Sequence, residues 1–232
     1  MKNLLFCGAF FLSLFSFTQN INHQQFSEFL SAYVSNNGNV NYKAIKNNPE
    51  ALNNYLDHLS NSSPNNSWSK NQTLAYWINT YNAFTIKLII DHYPIKSIKD
   101  IKKPWDQKFI PIKGELLSLN YIEHHILRKM DEPRIHFAIV CASYSCPKLQ
   151  NKAFTAKNLN EQLNQATKGF LNDLERNFIS ENKLELSKIF KWFEKDFEQK
   201  GTLIDFLNKY ASTHISKHAK ISYKDYNWSL NE

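Results

Sequence analysis

Glycine and proline are scarce in this 232-residue chain, at 5 and 7 residues. Beside 42% hydrophobic and 14% aromatic residues, that scarcity excludes collagen-like, linker-like and disordered classes, which need the opposite balance. Cysteine is sparse too, three in all, so a disulfide-stapled miniature fold is not encoded. Two thiols five apart, Cys141 and Cys146, with no compact Cys or His pair nearby do not match a structural zinc site, and no metal or other cofactor is expected. Acidic residues are outnumbered, 21 against 28 Lys and Arg, for a net charge of +7. The lysines scatter along the whole length, densest between Lys96 and Lys108, which implies weak attraction to anionic surfaces and no nucleic-acid footprint. After Phe17 no apolar run is long enough to span a bilayer, and no internal repeat is visible.

What is present begins at the N-terminus. Lys2, the apolar run Leu4 to Phe17 and the polar Thr18-Gln19-Asn20 have the layout of a secretory signal peptide, although no Ala-x-Ala cleavage site marks its end. Cys7 lies inside the apolar run, too near Met1 for lipoprotein processing. The expectation is a signal peptide over 1–19 and one domain over 20–232, periplasmic or secreted, with no stable membrane anchor. The length is ordinary for one domain with a sizeable core.

Periodicity predicts mostly helices. Phe26, Phe29, Leu30 and Tyr33 mark one face of a first helix, stopped at Asn36-Asn37-Gly38, and Ala51, Leu52, Tyr55, Leu56 and Leu59 mark a second. Ser69 with Gln72 forms a capping-box pattern that opens a helix from Thr73 to about His92, before Pro94. Being apolar nearly all round, that helix is expected at the centre of the fold. Asn79 and Asn82, three apart, share one of its faces. Buried amides must be satisfied, so the two either hold a neighbouring loop or bind a ligand. Phe109 to Ile112 and Glu115 to Leu119 flank Lys113-Gly114 as a hairpin. A helix from Ser118 or Asn120 through Met130 follows, with Asn120 and Glu123 as its capping box. A long helix through Leu159 to Leu174, a hairpin over Phe178 to Ser187, helices at Ile189 to Phe197 and Leu203 to Tyr210, and a strand at Ile221 to Tyr223 complete the chain. The class is α+β, one compact domain with a buried central helix on a small, mostly antiparallel sheet and amphipathic helices around it.

Chemistry concentrates in Arg134-Ile-His-Phe-Ala-Ile-Val-Cys-Ala-Ser-Tyr-Ser-Cys-Pro147. His136 to Val140 reads as a buried strand running into a polar loop. After export only Cys141 and Cys146 remain, and two outcomes stay open for them: a disulfide across the loop, or a free nucleophile. A catalytic cysteine needs a base within hydrogen-bond reach. On a strand of about 3.3 Å per residue, His136 would stand roughly 16 Å from Cys141 on the opposite face. His124, oriented by Glu123, or His125 is therefore the better partner. The catalytic candidates are Cys141, Cys146, His124, Glu123 and His136, and the ligand-binding candidates are Asn79, Asn82, Arg134 and Ser143.

Val40-Asn-Tyr42, Trp77-Ile-Asn-Thr-Tyr-Asn-Ala83, Leu119-Asn-Tyr-Ile-Glu-His124, Arg134 to Ala138, Cys141 to Pro147, Trp192 to Phe197 and Trp228-Ser-Leu-Asn231, in this order, resemble the domain-of-unknown-function family numbered 547 (DUF547). The resemblance implies no assigned activity; related domains also look fused to glutaredoxin-like modules, an association with thiol chemistry. The favoured expectation is a non-catalytic binding or structural domain for an unknown small molecule or peptide. The alternative is a thiol-dependent hydrolase or transferase of papain or transglutaminase type. Against it, the helix that would carry the cysteine in such enzymes carries Asn79 and Asn82 instead.

Overall fold

Helical periodicity dominates the chain, and helices dominate the structure. The computed structural model describes residues 21–232; the expected signal peptide and Cys7 lie outside the described residues. Four helices come first: α1 (Gln24–Tyr33), α2 (Tyr42–Asn47), α3 (Glu50–Asn61) and α4 (Lys70–His92). Phe26, Phe29 and Leu30 of α1 are buried, and Phe26 stacks on Tyr55 of α3 with ring centroids 4.5 Å apart. At the start of α4 the Ser69 hydroxyl accepts from the Gln72 amide while the Gln72 side chain accepts from the Ser69 amide, closing the expected capping box. Pro94 disfavours helical geometry at Tyr93, which ends the helix.

Sixteen residues of α4 are buried on all sides. The helix packs chiefly on α2, α3 and the 119–130 segment, within the expected α+β fold of helices and small sheets. Sheets are small and peripheral. β1 (Ile110–Ile112) and β2 (Glu115–Leu117) form the predicted hairpin. After α5 (Leu119–Tyr121) and α6 (Leu159–Leu171), β3 (Phe178–Ile179) pairs antiparallel with β4 (Lys183–Leu186). Then come α7 (Lys188–Trp192), α8 (Glu194–Phe197), α9 (Leu203–Leu207) and β5 (Lys220–Tyr223), which lies parallel to β4. Among the described residues, no helix is long and apolar enough to cross a membrane.

Two sequence expectations fail locally. His136 to Val140 is not a strand: Pro133 to Phe137 form a 3-10 turn and Ala138 to Val140 run on without ladder partners. Pro133 presets the backbone at the first helical position, and the Glu132 carboxylate accepts from the Arg134 amide. The backbone beyond is satisfied by Asn82 of α4, which donates to the Ala138 carbonyl at 2.9 Å and accepts from the Val140 amide at 3.0 Å. One side-chain amide thus replaces a neighbouring strand. Asn79 does the same at Phe154, donating to its carbonyl at 2.8 Å and accepting from its amide at 2.9 Å. The second failure is the cap of the 119–130 helix. Ser118, not Asn120, caps it, accepting from Tyr121, and Glu123 is released for another role.

Asn82→Ala removes both bonds and orphans a buried carbonyl and amide, a loss of about 1–3 kcal/mol in unfolding free energy; Asn79→Ala should cost about as much. Urea denaturation checks this through a lowered midpoint at constant slope. An unchanged midpoint for Asn82→Ala would contradict the clamp.

Candidate functional site

The loop that leaves the Asn82 clamp carries both cysteines. Ala142 holds a positive φ of 57°, a conformation that is costly for a residue with a Cβ and tends to persist where the surroundings impose it. The surroundings here are the C-terminal tail. Tyr144 donates its amide to the Ser229 carbonyl, Asn227 donates its amide to the Ser145 hydroxyl, and Asn231 donates its amide to the Ala142 carbonyl. Tail and loop thereby fix each other, and Tyr226 arrives with its hydroxyl 3.3 Å from Cys141 Sγ.

Cys141 and Cys146 are thiols in this structure, the first half-buried and the second buried. Their sulfurs are 2.7 Å apart, and Cys146 Sγ also accepts the Cys141 amide. The Ser143 hydroxyl lies 3.1 Å from Cys141 Sγ and donates to the Tyr226 oxygen at 3.1 Å. The two thiols are therefore electrostatically unequal. Hydrogen bonding from Cys146 outweighs burial and, with Ser143 and Tyr226 helping, brings Cys141 down from 9.0 to about 7. Burial pushes Cys146 well above its ordinary value, and its bond to Cys141 adds to that.

Across from the thiols, the chain from Ile122 to Ile126 winds as a π-helix, a rare geometry that often accompanies functional sites. It presents Glu123, which is 9% exposed, with the Tyr81 hydroxyl donating to its Oε2 at 3.2 Å. Burial raises the Glu123 carboxyl to about 7 against the opposing bond from Tyr81. Its neighbour His124 accepts at Nδ1 from Arg128 at 2.6 Å, so that nitrogen carries no proton. Arg128 in turn grips both oxygens of Asp196 at 2.6 and 2.9 Å, and His136 Nε2 lies 2.8 Å from the same carboxylate. Burial would raise Asp196, but the bonds from His136 and Arg128 hold it well below the usual carboxylate range. Burial lowers both His124 and His136.

These groups line one cleft of about 450 Å³. Cys141, Cys146, Glu123, His124 and His136 all face it, joined by Tyr81, Asp106, Asn120 and Tyr226. With no strand at 136–140, His136 is not turned away from the thiols as expected; its ring stacks on Phe193 at 4.0 Å and borders the same cavity. Neither sulfur is hydrogen-bonded to a histidine among the described residues, so no Cys–His pair of the papain kind is formed. Arg134 lies elsewhere, bound to Glu132, Asn160 and Asn164. Asn79 and Asn82 are spent on backbone groups, and Ser143 stands beside Cys141.

Sequence reasoning allowed the aromatic surplus a ligand groove but singled out none of the residues that build it. Trp105, Trp192, Tyr226 and Trp228 line the cleft in a chain of ring contacts from 4.6 to 5.8 Å. The signal available was the Tyr226 and Trp228 pair in a polar tail, where no helical period requires aromatics. Among the described residues, no group of three or more His, Cys, Asp or Glu side chains is arranged to hold a metal ion.

Residues 65–171, which span α4, the π-helix and both cysteines, match the family described as protein of unknown function, DUF547. The resemblance read from the motifs is thereby shown over that span. No curated protein and no solved structure matches the chain.

Glu123 binds its proton more tightly folded than unfolded, so between about 4.5 and about 7 the folded state holds the extra proton and stability falls as pH rises. Glu123→Gln should flatten that part of the stability profile and leave the protein more stable than wild type above the upper value. Denaturant midpoints measured across pH check it; coincident profiles would show that the carboxyl titrates alike in the folded and unfolded states.

Proposed function

We propose that the chain is a thiol enzyme whose chemistry is thiol–disulfide exchange, with Cys141 attacking and Cys146 resolving. The observation that carries this reading is the pair itself: two adjacent sulfurs with opposite shifts and no histidine on either. An attacking thiol works best when its pKa is near ambient pH, because a lower value weakens the nucleophile and a higher one depletes the thiolate. Cys141 at about 7 fits that requirement. Cys146, buried and protonated, is protected until its partner has reacted.

In the exchange, the Cys141 thiolate attacks one sulfur of a substrate disulfide, that S–S bond breaks, and the departing thiolate takes a proton from solvent. Cys146 then loses its proton, with the Glu123 carboxylate in the same cleft as the base, and attacks Cys141 Sγ. The second substrate thiol leaves, and the protein holds a Cys141–Cys146 disulfide: two electrons have passed from the pair to the substrate. Export directed by the 1–19 segment would put this site in an oxidising compartment, periplasmic or extracellular, where such exchange has substrates.

Alkylation of the reduced protein, followed by peptide mass spectrometry across pH, tests the reading. Cys141 should label with a midpoint near 7, and Cys146 only in strongly alkaline solution. Cys146→Ala should move the Cys141 midpoint upward, because its principal hydrogen-bond donor is gone, and should trap a stable mixed disulfide on Cys141. Two thiols that label together, both at the ordinary value, would return the protein to a non-catalytic binding domain.

A further inference from the structure

We infer that the disulfide acted on is carried by an apolar, uncharged or cationic peptide segment, and that anionic small thiols such as glutathione are poor partners. This rests on the exchange reading above and names its substrate class. The charge of the cleft departs from that of the whole chain. The chain has 28 Lys and Arg and a net charge of +7, yet among the described residues no lysine or arginine lines the cavity that holds the thiols. The carboxyl groups that do are Asp106 and Glu123. Arg128, close behind His124, is committed to Asp196 and His124. Lys99 sits over the Trp228 ring, 4.2 Å from its centroid, and does not line the cavity.

An anionic ligand entering here would leave its carboxylates without counter-ions in a partly dehydrated space, which is costly. The aromatic wall favours the opposite chemistry. Trp192, 46% exposed, leads inward to Tyr226 and so to the Cys141 sulfur. Apolar and aromatic side chains flanking a substrate cysteine can lie along it, and cationic ones gain from the ring faces, as Lys99 does from Trp228. The volume of about 450 Å³ is right for a few side chains of an extended segment and too small for a folded domain.

Stopped-flow oxidation of the reduced full chain would use four disulfides: dimers of Ac-Leu-Lys-Cys-Phe-amide and of Ac-Asp-Glu-Cys-Asp-amide, oxidised glutathione and uncharged hydroxyethyl disulfide. Each rate is divided by its rate with free cysteine to remove intrinsic reactivity. The apolar, cationic peptide should react at least about tenfold faster than the acidic peptide and glutathione, a difference of about 1.4 kcal/mol. Trp192→Ala should shrink that ratio. Asn120→Lys, which puts a cation into the cleft, should raise the rate with glutathione. Equal normalised rates for all four disulfides, or a ratio untouched by both variants, would overturn the substrate assignment while leaving exchange intact. Failure of hydroxyethyl disulfide to oxidise Cys141 would instead remove the exchange chemistry itself, and the substrate class with it.

Discussion

The amide of Asn82 is the constraint on which the rest of the site depends. It reaches from the buried face of α4 to the backbone at Ala138 and Val140, so the segment before Cys141 is held against the central helix without any strand partner. A sheet would have fixed that segment through its neighbours on both sides. A side-chain clamp fixes it on one side only and leaves the other face open for a cleft. Asn79 repeats the device at Phe154, beyond the cysteine loop, so the loop is tethered at both ends to one rigid element. The C-terminal tail completes the restraint by pairing with residues 142–145. Ala142 keeps its left-handed backbone within this frame, and the two sulfurs stay together.

Such close tethering makes the thiols unequal. Had both been solvated, each would titrate near the ordinary value. Burial isolates Cys146 as the neutral donor, and Cys141 collects the hydrogen bonds of Cys146 and Tyr226, with the Ser143 hydroxyl beside it. The bond between the sulfurs stabilises one thiolate and adds to the burial that suppresses the other. Glu123 belongs to the same electrostatic unit, since a negative sulfur disfavours a second negative charge nearby and helps keep that carboxyl protonated. The His136–Asp196–Arg128–His124 network borders this unit. Its bonds hold the imidazoles in place beside the cavity, which explains why neither histidine is paired with a sulfur.

Much of this was legible in the sequence, and the limits follow from what periodicity reports. The central helix, its Ser69 cap, the 110–117 hairpin and the β3–β4 hairpin are local, and each follows from spacing and turn residues. The stretch 136–140 misled because a short apolar run has no period to separate a strand from any other buried segment, and its real partner, Asn82, is 56 or more residues away. The cysteines, Glu123 and His124 were legible as one candidate site, whereas His136 was set on the opposite face, because only the tertiary fold shows that it borders the same cavity. Asp196 and the aromatic wall stayed hidden for the same reason, and so did the π-turn, whose extra residue leaves no mark on composition.

The central claim is that Cys141 is a thiolate at neutral pH because Cys146 donates to it. Thiolate absorbance in the ultraviolet, followed through a pH titration of the reduced protein, measures this without a reagent that could select between the sulfurs. One thiolate should appear with a midpoint near 7; it should vanish in Cys141→Ser and move upward in Cys146→Ala. Absorbance that rises only above the ordinary thiol value of about 8.5, alike in the wild type and in Cys146→Ala, would contradict the account.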